Sequence, residues 1–62
     1  MTQLVSFIDA DSGVTVYVSP LQVVSLRPGE TGETAIFLVD QEEPTTVTSA
    51  ITSVAATINS AF

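Results

Sequence analysis

The sequence predicts an α+β fold: a small antiparallel β-meander of four to five strands, with one C-terminal amphipathic helix. Short stretches rich in β-branched residues alternate with turn-forming residues between positions 3 and 48. Beyond them, apolar residues recur at helical spacing. The chain has 62 residues, which is enough for one domain, so residues 1–62 are expected to share a single core.

The first two strands are expected to form a hairpin. Residues 3–9 are mostly apolar β-formers, and residues 14–18 alternate Val with Thr and Tyr. Residues 10–13 read Ala-Asp-Ser-Gly, a typical turn composition, because Asp and Ser bond the local backbone and Gly accepts a positive φ.

A Ser-Pro turn follows the hairpin. Pro20 has no N–H to donate, so the second strand must end there. Ser19 is placed to cap a short turn with Pro at its first position, and Leu21 is expected to enter the core beneath it. A third strand is predicted at residues 23–27.

The fourth predicted strand, residues 34–39, is the most hydrophobic segment of the chain. Its apolar side chains fall on both faces, with Ile36 and Leu38 opposite Phe37 and Val39. Such a strand is normally covered on both sides. We therefore expect either that the sheet curls on itself or that another subunit covers its second face.

A short fifth strand at residues 45–48 and a helix at about 50–61 complete the predicted fold. Ser49 has the side chain of a good N-cap. The apolar stripe of the helix comprises Ile51, Val54, Ala55, Ile58 and Phe62.

Composition excludes several classes of function. The chain has no Cys and no His, so it lacks the usual zinc and copper ligands and the commonest general base. It also has no Lys to activate its many hydroxyls. We expect no enzymatic activity, no catalytic residue, no cofactor and no metal centre.

Charge excludes further partners. Arg27 is the one cation against seven acids, giving a net charge of −6. One Arg cannot supply the phosphate contacts of nucleic-acid binding, and an acidic chain is repelled by anionic membranes. No membrane span or signal peptide is recognisable. We expect no nucleic-acid or membrane partner, and a cytoplasmic location, or a virion-associated one if the chain is phage-encoded.

The segment Val16-Tyr-Val-Ser-Pro-Leu-Gln-Val-Val23 resembles the "Leu-Asn-Pro" strand and turn of the small flagellar and swarming motility proteins. The resemblance covers about residues 12–60, with residues 34–39 and 47–58 matching a later strand and the terminal helix. It implies a small sheet-plus-helix fold and carries over no catalytic or ligand-binding residue. Two features depart from the family: residues 40–43 replace its Asn-Gly turn, and the helix lacks its charged face.

The pattern Asp9-x-Asp11-x-Gly13 is similar to the beginning of a calcium loop. Counted from Asp9, the twelfth position is Pro20 instead of the required Glu. The pattern therefore favours an acidic β-turn, and weak calcium binding at this turn stays open.

Charge placement suggests two candidate surfaces. In a simple meander the turn at 10–13 and the loop at 28–34 lie at one end of the sheet, whereas residues 44–62 carry no side-chain charge. The candidate acidic rim comprises Asp9, Asp11, Glu30 and Glu33. The candidate interface comprises Phe37, Val39, Thr52, Ala56 and Asn59.

These surfaces lead to three hypotheses. The favoured one is a non-catalytic interaction or assembly protein that forms a homo-oligomer through the second sheet face or the helix. The alternative is an acidic phage-type inhibitor or accessory protein that binds a basic surface on a host protein. The third is a calcium-dependent binding module that uses Asp9 and Asp11.

Overall fold

A computed structural model of the chain describes residues 3–61, which form five strands, one short 3-10 turn and one α-helix. The predicted α+β class is confirmed. In chain order the elements are β1 (Val5–Ile8), β2 (Thr15–Val18), the 3-10 turn (Pro20–Gln22), β3 (Val23–Pro28), β4 (Thr34–Leu38), β5 (Thr45–Val47) and α1 (Ile51–Ser60). Phe62, expected to extend the helical stripe, lies outside the described residues.

The strands divide into two antiparallel sheets instead of one meander. β1 and β2 form a hairpin sheet, and the other strands form a three-stranded sheet in the order β3-β4-β5. The expected continuity fails between β2 and β3, because the 3-10 turn that begins with Pro20 redirects the chain between them.

One bridge connects the two sheets. Asp9, just after β1, pairs antiparallel with Val47 of β5. On either side of this pair the Ala10 amide donates to the Thr46 carbonyl at 2.9 Å, and the Thr48 amide donates to the Ile8 carbonyl at 3.0 Å. The first hairpin is therefore attached to the last strand of the chain.

The core lies between the two sheets and the helix. Its buried side chains come from β1, β2, β4, β5 and α1, and they are Phe7, Val18, Ile36, Val47, Val54 and Ile58. The predicted inward face of β4 and the predicted helix stripe are both represented among them. Both sheets therefore contribute to one core on the Ile36 side of β4, and this core does not include Phe37 or Val39 on the second face.

The Ser-Pro turn has a different buried residue from the one expected. Pro20 is buried, whereas Leu21 is 69% exposed, so the prediction that Leu21 enters the core is wrong. The Ser19 side chain makes no capping hydrogen bond. Because the proline ring itself occupies the inward position, the next residue of the turn faces outward.

The start of the helix also differs from the prediction. Ala50 is the N-cap and no side chain caps the helix, so the assignment of Ser49 as N-cap is wrong. The Ser49 carbonyl instead accepts a hydrogen bond from the buried Thr34 hydroxyl at 2.7 Å. This contact fixes the residues before α1 to the first residue of β4.

Candidate interaction surfaces

The helix residues of the candidate interface share one exposed face. Thr52, Ala56 and Asn59 lie at helical spacing and are all exposed, opposite the buried Val54 and Ile58. We call these three the helix outer face. Their side chains are small and neutral, so this surface can approach another without desolvating a charge.

The two strand residues of the candidate interface lie elsewhere. Phe37 is on the face of β4 opposite the core residue Ile36, so it points away from the side on which α1 packs. Val39, just beyond β4, is exposed, and its amide donates to the Gln22 carbonyl at 2.9 Å. The candidate interface is therefore split between the outer side of the three-stranded sheet and the outer side of the helix.

Phe37 is less available than the sequence suggested. Its ring is half-buried, and the Arg27 guanidinium carbon lies 5.9 Å from the ring centroid, within the range of a cation–π contact. Arg27 on β3 and Phe37 on β4 are near neighbours on the same face of the sheet. The only cation of the chain thus covers part of the second face of β4.

A larger apolar surface lies on the hairpin sheet. Leu4, Ile8 and Tyr17 are 65%, 42% and 69% exposed and lie on the face opposite Phe7. Tyr17 pairs with Ser6 across the hairpin, which makes Leu4 and Ile8 its diagonal neighbours on that face. We call Leu4, Ile8 and Tyr17 the hairpin outer face.

Sequence reasoning missed the hairpin outer face, although two signals indicated it. The apolar residues of the first strand fall on both faces, and Tyr17 is out of phase with the inward Val16 and Val18. Both features can be read from the sequence. A strand with apolar residues on both faces, however, does not indicate which of the two faces stays exposed in the fold.

A shallow groove lies beside Ala56 of the helix outer face. It has a volume of about 390 Å³ and lies between the residues that lead into β1 and the C-terminal half of α1. Its lining residues are Gln3, Val5, Ala56, Thr57, Ser60 and Ala61. These six side chains are uncharged.

The first two acids of the candidate rim belong to the β1–β2 turn. The Asp9 carboxylate accepts from the amide of Asp11 at 2.8 Å and from the amide of Ser12 at 3.1 Å. Gly13 supplies the positive φ, at 74°. The acidic β-turn favoured by the sequence is present, and the Asp9 carboxylate helps to hold it.

Glu33 has a similar role in the β3–β4 loop. Its carboxylate accepts from the Thr31 amide at 3.2 Å and from the Thr31 hydroxyl. The Gly29 amide donates to the Glu33 carbonyl at 2.7 Å and closes the loop. Both Asp9 and Glu33 thus use a carboxylate to order their own turns.

The strand register directs the two turns that carry the acids of the candidate rim in opposite directions. Thr34 and Val47 are paired, and the loop carrying Glu30 and Glu33 extends beyond Thr34 at that end of the sheet. From the Asp9–Val47 bridge, the β1–β2 turn runs in the opposite direction, alongside Thr46. The expectation that both turns lie at one end of the sheet is therefore wrong, because it rested on a single meander.

Among residues 3–61, no three acidic side chains come together to hold a metal ion. Over the same residues, α1 is too short to cross a bilayer.

Comparison of the chain with protein families, with characterised proteins and with solved structures found no match. The resemblance to the motility proteins stays a prediction.

Proposed function

We propose that this chain is a non-catalytic interaction protein that assembles with further copies of itself. The observation that carries the proposal is the hairpin outer face, where Leu4, Ile8 and Tyr17 are adjacent and exposed. Adjacent exposed apolar side chains on a small protein are typical of interaction sites, whereas isolated ones need no explanation.

The distribution of charge supports a second copy as the partner. Each chain carries a net charge of −6, so two copies repel each other wherever their acids meet. Residues 14–26 and 44–62 contain no charged side chain. These neutral stretches include Tyr17 and the whole helix outer face, so copies can meet there with the least repulsion.

Chain length gives a second reason for association. A domain of 62 residues without disulfides hides only about 60% of the surface of its unfolded chain, and such domains commonly gain stability from a partner. Association that buries the hairpin outer face stabilises the folded chain, because only the folded chain presents Tyr17 between Leu4 and Ile8.

The test is the absolute mass in solution, measured by light scattering over about a hundredfold range of protein concentration. We expect the mass to rise from that of one chain towards that of a dimer or larger assembly. A single-chain mass at every concentration contradicts the proposal.

Charged variants locate the surface. Leu4→Glu and Ala56→Glu add a carboxylate to the hairpin outer face and to the helix outer face, where burying it in an interface is costly. The matched control is Gln41→Glu, which adds the same charge to an exposed acidic turn. We expect at least one of the first two variants to weaken association while the control preserves it, with all three remaining folded. Equal effects from all three would show that net charge alone governs the mass.

A further inference from the structure

The edge strand β2 has one side without a partner in the described chain. Within residues 3–61, β1 is the only strand paired with β2. The Asp9 amide donates to the Val14 carbonyl at 2.9 Å, which makes this a hydrogen-bonded pair. Since such pairs alternate along an antiparallel ladder, Val16 and Val18 also bond towards β1. The backbone N–H and C=O groups of Thr15 and Tyr17 consequently point away from the hairpin.

The other edge strand, β3, is protected in two ways. Val24 is an extra residue in a bulge between Val23 and Ser25, which interrupts the edge. Arg27 and Pro28 end the strand with a charge and with a residue that lacks an N–H.

The β2 edge has none of these protections. Its four residues, Thr15–Val18, include no charge, no proline and no bulge. Thr15 and Tyr17 are exposed. The outward N–H and C=O groups of such an edge are a template for pairing with another strand.

We propose that β2 pairs antiparallel with β2 of a second copy of this chain. The pairing is centred on Val16, so Thr15 of one copy exchanges N–H and C=O bonds with Tyr17 of the other. The two hairpins then form one continuous sheet in the order β1-β2-β2-β1. This inference rests on the proposed self-association and assigns it to an edge that the candidate interface did not include.

A second copy fits this edge better than a foreign strand for two reasons. A two-fold axis through Val16 sets each outward donor against an outward acceptor, so the same short segment supplies both halves of the interface. Charge gives the second reason: residues 14–26 are neutral in a chain of net charge −6. A two-fold pair centred on Val16 brings neutral segments together while the acidic turns stay outside the hydrogen-bonded pair.

Pairing at this edge also extends the hairpin outer face. Thr15 and Tyr17 lie on that face, so Tyr17 of one copy comes beside Thr15 of the other. The apolar side chains of both copies then lie on one side of one sheet. Because each edge is only four residues long, the interface is small and we expect a weak, concentration-dependent dimer.

Amide hydrogen exchange tests the pairing without altering the protein. We expect the Thr15 and Tyr17 amides to exchange quickly in dilute protein and to gain protection at concentrations where scattering shows a dimer. Val16 and Val18, already bonded to β1, should be protected at both concentrations, and Leu26 on the β3 edge should not change. These residues serve as internal controls.

A backbone substitution gives the second measurement. The chain is short enough for chemical synthesis, so Tyr17 can be replaced by N-methyl-tyrosine, which removes the outward N–H and leaves the side chain intact. We expect the dimer to weaken by about tenfold or more, since each copy loses one hydrogen bond and gains a methyl group at the edge. The melting temperature in dilute solution reports whether the modified monomer still folds.

Each outcome decides between the two proposals. A dimer whose Thr15 and Tyr17 amides never gain protection overturns the edge pairing and leaves self-association intact. Protection of these amides in dilute monomer also overturns the pairing, because the edge would then be satisfied within one chain. Protection that requires an added extended peptide assigns the edge to a foreign strand, and a monomer at all concentrations overturns both proposals.

Discussion

The two sheets share a core, yet they differ in how far their outer faces and edges are covered. The three-stranded sheet has Arg27 over Phe37 on its outer face, and its β3 edge carries a bulge and a terminal proline. The hairpin sheet leaves Tyr17 exposed on its outer face and its β2 edge uncharged and regular. We infer that the outer face and the edge of the three-stranded sheet are protected within the chain, whereas those of the hairpin sheet are available to a partner.

The largest expected effects come from the shared core, where the two sheets should behave alike. Phe7→Ala on the hairpin and Ile36→Ala on β4 each remove a buried side chain, and each should cost about 2–5 kcal/mol of unfolding free energy. Chemical denaturation in dilute protein measures both. The control Tyr17→Ala, on the exposed face, should cost far less. A large loss from this control would show that the hairpin outer face is covered within the monomer.

Thr34→Val should have the next largest effect. It keeps the shape of a buried side chain but removes the hydroxyl that donates to the Ser49 carbonyl, leaving that acceptor without its partner. We expect a loss of about 1–3 kcal/mol in denaturation measurements. The same change at exposed Thr15 on β2 should be nearly neutral. Equal costs at the two sites would mean that the Thr34 hydrogen bond contributes nothing specific.

The β1–β2 and β4–β5 turns differ in how they reach a positive φ. The hairpin uses Gly13, at 74°, and the β4–β5 turn uses Asp40, at 67°. A methyl group at Gly13 would meet no atom within 4 Å, so Gly13→Ala tests backbone strain alone. We expect Gly13→Ala to lower the melting temperature, with a cost of about 1–2 kcal/mol. Asp40→Gly should be neutral or stabilising by less than about 1 kcal/mol, and a large loss there would indicate a role for the Asp40 carboxylate.

The smallest expected effect concerns the outer face of the three-stranded sheet. The Arg27–Phe37 contact should contribute about 0.5–1 kcal/mol, as expected for a partly exposed cation–π pair. A double-mutant cycle with Arg27→Gln and Phe37→Leu measures the coupling. Coupling indistinguishable from zero would mean that the Arg27 guanidinium covers Phe37 without stabilising it.

Local patterns predicted the elements well because strand and helix formation depend on nearby residues. The five strands and the helix lie within a few residues of their predicted bounds, and the stripe containing Val54 and Ile58 is buried. The outward position of Leu21 could not be predicted in the same way. It depends on Pro20 filling an inward position that only the packed fold creates.

The arrangement of the sheets depended on distant residues, so the sequence pattern did not reveal it. A meander assumes that neighbouring strands pair, whereas here Asp9 pairs with Val47 and β2 does not pair with β3. That long-range pairing directs the β1–β2 turn away from the β3–β4 loop. The expectation that the two acidic turns share one end of the sheet failed for this reason, although each turn was recognised correctly.

The Asp9–Val47 bridge has a consequence for cooperativity. It joins a hairpin near one end of the chain to the strand that precedes the final helix, and its flanking hydrogen bonds tie Ile8 to Thr48. A hairpin that depends on contacts made so late in the chain cannot be stable while the rest is disordered. The bridge therefore couples the two sheets, and we expect the β1–β2 hairpin to become stable only together with β5.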